Sequence, residues 1–171
     1  MREHRGMDRE ATAILSSLHA QRAHVLGILE GLSSEALQTP VLPTEWTCAG
    51  LVQHLALDVE RWWFRQVLAG ETIGPEELRA GGESAWEVGD DTPPEVVLDL
   101  YRHEAALADA ILAVTSLDAE PAAWPVELWP DWRLPDMRAI ALHVITETAC
   151  HAGHLDAARE LLDGRTWLRL T

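Results

Sequence analysis

His143, Glu147, His151 and His154 fall at 0, 4, 8 and 11 along one stretch of chain. At 100° per residue on an α-helix they occupy an arc of about 80°, so three imidazoles and a carboxylate share one face. Ala141, Val144, Ala152 and Leu155 flank that arc, which argues against a solvated surface. A polar seam of hydrogen-bonded core histidines would give the same stripe. Glu147 and His151 form an E-x-x-x-H pair whose Cβ atoms start about 6 Å apart and can converge on a single ion. Such an ion needs a third ligand from another element. His54, set between Leu51, Leu55 and Asp58, offers one, although spacing alone does not make its helix a neighbour.

Four amphipathic helices are expected to position these groups. The first runs from about Asp8 to Glu30, with Ile14, Leu18, Val25 and Leu29 on one face and Gly31 as a stop. A second starts near Thr47, a fitting N-cap, keeps Leu51, Leu55 and Trp62 on one face, and ends at Gly70. Thr92 with Pro93 and Pro94 opens a third, continued by Val97, Leu100, Leu107 and Ile111 and fading by about Val114. The fourth, from Pro135 or Asp136 to Gly164, carries the His/Glu stripe and has no internal proline. No stretch alternates with period two, so strands are not needed. The pattern predicts an all-α protein, a four-helix bundle with functional groups projected into its core. The second and third helices are joined by a long connection, Glu71 to Asp91, able to cross the bundle.

The chain has 171 residues, 47% of them hydrophobic, which suits one globular domain over 1–171. No apolar run reaches the roughly 18 residues of a membrane span. There is no Lys and no Asn, which excludes a Walker A lysine, a Schiff-base lysine and an N-glycosylation site. A formal charge of -15 disfavours nucleic acid and anionic membranes as partners. Two cysteines without a CxxC and an N-terminus lacking an apolar leader suggest a cytoplasmic, reduced setting. The sequence leaves the oligomeric state open, a homodimer included.

The segment TEWTCAGLVQHLALDVERWWF (44–64), followed some ninety residues later by HVITETACHAGHLDAARELLDG (143–164), resembles the DinB/YfiT-like superfamily. The likeness is to its actinobacterial branch related to mycothiol-dependent maleylpyruvate isomerase and extends over nearly the whole chain. The resemblance implies a mostly antiparallel four-helix bundle holding a divalent metal, zinc or nickel. One histidine of the second helix and two residues one turn apart on the last would hold it, which here are His54, Glu147 and His151. It further implies a mycothiol-type thiol as cosubstrate. The isomerase has an additional C-terminal domain that does not follow Gly164 here, so maleylpyruvate is not the expected substrate.

Two neutral imidazoles and one carboxylate leave a divalent ion with an open position, where a bound thiol would lose its proton near neutral pH. Neither Cys48 nor Cys150 shares a face with the proposed ligands, which favours an exogenous thiol. His143 and His154 are candidates for moving protons, His143 alternatively for a hydrogen bond behind the ligands, and Asp58, Arg61 and Arg65, on the stripe of His54, for anchoring a carboxylate of the thiol or electrophile or for orienting an imidazole. The Trp-rich segment WPVELWPDWRLP (124–135) is expected either to line an apolar pocket or to seal one end of the core. The expected function is metal- and thiol-dependent transfer or isomerisation of a small electrophile. A metal-dependent hydrolase and a non-catalytic metal-binding stress-response bundle are the alternatives.

Overall fold

Two of the long helical stretches begin where a side chain satisfies a free N–H group of the first turn. Thr47 accepts from the backbone of Gly50 at 3.0 Å and Asp136 from that of Ala139 at 2.8 Å. The computed structural model describes residues 3–80, 84–89 and 91–167. Six helices, and no strand, occur among them: α1 (Glu3–Leu29), α2 (Ser34–Leu37), α3 (Cys48–His54), α4 (Pro75–Ala80), α5 (Pro94–Leu112) and α6 (Met137–Asp163). The chain leaves α3 without a break into a π-wound segment, Leu55–Leu68. Gly164 ends α6 in the left-handed region at φ 76°, and Gly31 and Gly70 close turns at φ 79° and 70°. The all-α expectation therefore holds. The short α2 and α4 lie in connections where the sequence showed no helical period.

α1 lies along α6, and α5 along the π segment, which also meets α6. One hydrophobic cluster joins them, with Leu18 and Val25 from α1, Leu55 and Phe64 from the second helical stretch, Ala108 from α5 and Val144 and Leu155 from α6. Burying each of the larger of these side chains stabilises the fold by about 1.5–3 kcal/mol before entropy is counted. No helix of the described residues is long and apolar enough to cross a membrane.

The π winding corrects the expected register of the second helix. Bonding from i to i+5, as in Ala69 N–H to Phe64 C=O at 3.0 Å, turns each residue through less than the 100° of an α-helix. A stripe drawn at α spacing therefore drifts around the axis with every residue beyond His54. Trp63 is fully packed in the core while Trp62 is only partly covered, the reverse of the expected facing. On α5 the core face runs through Val97, Tyr101, Glu104, Ala108 and Leu112, leaving Leu107 and Ile111 on its flank.

That face of α5 completes two buried ion-pair systems. Arg22 of α1 grips Glu60 with two hydrogen bonds of 2.6 Å and reaches Asp109 of α5 at 2.6 Å. Arg61 and Arg65 both bond to Glu104, at 2.6 Å and 3.1 Å for the closest approaches. Buried charges survive only when paired in this way, so these contacts fix the π segment against its neighbours.

Candidate functional site

His54 ends α3 and is the last residue before the winding loosens. Its Nδ1 lies 2.9 Å from the Asp58 carboxylate, an orientation that leaves Nε2 facing away from this partner. Across the helix interface stands His151 of α6, its ring 5.0 Å from that of His54 and nearly perpendicular to it. His151 Nε2 is 3.8 Å from Glu147 Oε2, one turn earlier on α6, and His151 Nδ1 is 3.4 Å from Nδ1 of His154. Residues nearly a hundred positions apart thus meet at one place. Both His54 and His151 are largely covered, whereas the Glu147 carboxylate is more open and His154 is exposed.

Two indoles wall this place. Trp86, from the 84–89 stretch, stacks on His54 with ring centres 4.2 Å apart and planes 18° from parallel, and its edge is 5.8 Å from His151. Trp46 lies 6.3 Å from His154 and follows Glu45, the described non-glycine residue held at a positive φ of 59°. Such backbone costs energy and persists where surrounding structure imposes it. Neither indole was singled out by the sequence, since no spacing ties the connecting segments to the His face.

Burial is the first cause lowering the His151 pKa from its ordinary value, and the neighbouring His54 adds to it against the opposing charge of Glu147. The ring is therefore neutral at pH 7 and has a lone pair to offer. His143, one turn before Glu147, is likewise lowered by burial against the pull of Glu147. It stands apart from the other histidines, in edge contact with Trp63 at 4.7 Å and near Trp132 at 5.7 Å.

The 124–134 segment brings Trp124, Trp129 and Trp132 together over Trp63, with Trp129 stacked on Trp63 at 5.5 Å. These four rings pack chiefly on one another, which fits a seal over that end of the core. A cavity of about 410 Å³ lies on the outer side, lined by Trp62, Trp124, Val67 and Ile73.

Arg61 requires a correction. It is 5% exposed, and its guanidinium is committed to Glu104 and to the Glu77 carbonyl oxygen at 3.1 Å, so it is not free to grip a substrate. The cause is the π winding, which carries position 61 away from His54 and onto α5. Cys150 is exposed and Cys48 is buried, and burial pushes the Cys48 thiol up to about 11. Among the described residues, no three His, Cys, Asp or Glu side chains stand together at coordinating separations. The metal-ligand expectation thus rests on the donor types and on their common neighbourhood.

No curated protein matches this chain, and no solved structure does. A family model described as Mycothiol-S-transferase does match, over residues 13–164, a span that runs from within α1 to the end of α6. The chain belongs to the mycothiol S-transferase family.

Proposed function

We propose that the protein is a mycothiol-dependent S-transferase acting on a small electrophile, with a divalent cation, zinc or nickel, held by His54, Glu147 and His151. Membership of the family supports transfer of the thiol sulfur rather than isomerisation. The observation that carries the metal reading is the approach of His54 to His151 at 5.0 Å between ring centres, with Glu147 beside His151. Two imidazoles and a carboxylate are the donor chemistry of open zinc sites. A divalent cation bound there would favour the thiolate form of a thiol over its protonated form.

The side chains divide the remaining work. Asp58 holds the proton of His54 on Nδ1, so Nε2 keeps its lone pair. Burial keeps His151 unprotonated, and Glu147 supplies negative charge at the open edge. His154, exposed beside His151, takes the proton that leaves the thiol, and the sulfur then bonds to the electrophilic carbon as its leaving group departs. His143, half-buried and in edge contact with Trp63 one turn before Glu147, is kept neutral by burial and is placed beside that carboxylate rather than at the proton transfer. The same reading takes residues 1–171 as one domain, a mostly antiparallel four-helix bundle, working in the cytoplasm without nucleic acid or membrane.

The test is conjugation of 1-chloro-2,4-dinitrobenzene to mycothiol by zinc-loaded protein. Product is expected only with thiol, metal and protein together. His54→Ala and His151→Ala are each expected to lose roughly one equivalent of metal with the fold intact by circular dichroism, and Glu147→Gln to bind it more weakly. Unchanged metal content in all three variants overturns the ligand assignment. Turnover of the electrophile to a hydrolysis product without thiol overturns the transferase assignment.

A further inference from the structure

Trp86 reaches His54 from a stretch, Ser84–Gly89, that is held down on α3 at two points. The side-chain amide nitrogen of Gln53, a residue only 4% exposed, lies 3.4, 3.3 and 3.1 Å from the carbonyl oxygens of Ser84, Ala85 and Glu87. Gly50, one turn earlier, has no side chain where the strap passes. A Cβ placed there would overlap the carbonyl oxygen of Trp86. Glycine is the residue that permits such close backbone approach. The buried amide and the missing side chain are thus both spent on seating one indole.

We propose that Trp86 is a positioning residue of the cation site, fixing the His54 imidazole by stacking while Gln53 and Gly50 hold the strap that carries it. This rests on the metal reading given above. His54 is then restrained twice: Asp58 sets which nitrogen carries the proton, and the indole sets the plane of the ring. Restraint of a ligating ring by its neighbours preserves affinity by sparing the ordering cost at binding. The same indole closes one face of the site, so thiol and electrophile enter from the other side, where Glu147, His154 and Asp58 are open to solvent.

Zinc affinity by isothermal titration calorimetry, together with quenching of indole fluorescence by Co²⁺, tests this on the full chain. Trp86→Ala is expected to weaken zinc binding on the order of 10-fold, the scale seen when a group that orients a ligand is removed. Trp86→Phe, which keeps a flat ring, restores most of that loss. Gly50→Ala weakens zinc binding by a similar factor, although alanine is the better helix former and α3 itself gains. Gln53→Ala has the same effect through the released strap. Co²⁺ quenches the wild type more than Trp86→Phe, a comparison that needs no destabilised variant. Equal zinc affinity in wild type, Trp86→Ala and Gly50→Ala overturns the inference while leaving the metal site standing. Equal losses in Trp86→Ala and Trp86→Phe overturn the stacking role. A wild-type protein that binds neither zinc nor cobalt overturns the metal reading and this inference with it.

Discussion

At the residue scale, the site depends on which atom of His54 is left free. Nδ1 is held by Asp58 at 2.9 Å, and Asp58 is itself half in solvent, so its role is to orient rather than to bury charge. Asp58→Ala is expected to lower metal affinity by about 10- to 100-fold, less than loss of His54 itself, without lowering the melting temperature by more than a few degrees. Calorimetric titration with zinc measures it, and an unaltered affinity would show that His54 needs no such partner. The i, i+4 spacing of His54 and Asp58 was legible in the sequence because it spans a single turn, over which the change of winding has hardly accumulated. Seven residues on, the same argument failed for Arg61.

At the scale of elements, the π segment is fastened by charges that an amphipathic reading leaves unexplained. Glu104 is fully buried between Arg61 and Arg65, and removing its charge takes from Arg61 its paired carboxylate in the interior, while Arg65 keeps Glu71 at 2.7 Å and Glu77 at 2.8 Å. Glu104→Gln should destabilise the protein by about 3–5 kcal/mol in guanidinium chloride unfolding; a loss below 1 kcal/mol would mean that Glu71 and Glu77 suffice for the two arginines. A second fastening, between α1 and α5, carries a pH signature. Burial pushes the Asp109 carboxyl up, but the hydrogen bond and charge of Arg22, with His19 alongside, bring it below its ordinary value. A carboxylate with a depressed folded-state pKa stabilises fully above its unfolded value and loses that contribution as pH falls through the folded one. Asp109→Asn should thus melt below the wild type at pH 7, with the gap closing as the pH drops below about 3.9, the unfolded value. A gap independent of pH would assign the effect to packing.

The four long helices were legible because each carries its own apolar period, with a cap or a stop beside it in the sequence for all but α5. Thr47, Asp136 and Gly164 do in the fold what their types suggest. The π winding was not legible from a local period, and the pairs that accompany it, Arg61 and Arg65 with Glu104 and Glu60 with Arg22, join helices far apart in sequence. The His face of α6 was legible for the same local reason as its helix. Its walls, Trp46 and Trp86, come from irregular segments whose position follows from Glu45 at positive φ and from the contacts of Gly50 and Gln53.

At the scale of the whole molecule, the charge of -15 surrounds a site whose open edge carries Glu147 and Asp58. The field this sets up extends about 30 Å at 0.01 M ionic strength and about 10 Å at 0.1 M, so at low salt it reaches well beyond the surface. An anionic electrophile is repelled over that range and a neutral one is not. For a matched pair of electrophiles differing by one carboxylate, kcat/KM of the anionic member should rise several-fold between 0.01 and 0.3 M sodium chloride, while that of the neutral member stays level. The buried pairs of Arg22, Arg61 and Arg65 are screened little by salt, so circular dichroism should show the same fold across the series. A salt response shared by both electrophiles would place the effect in the fold or the metal, and an anionic substrate that slows with added salt would require a local cationic contact at the entrance stronger than the net field.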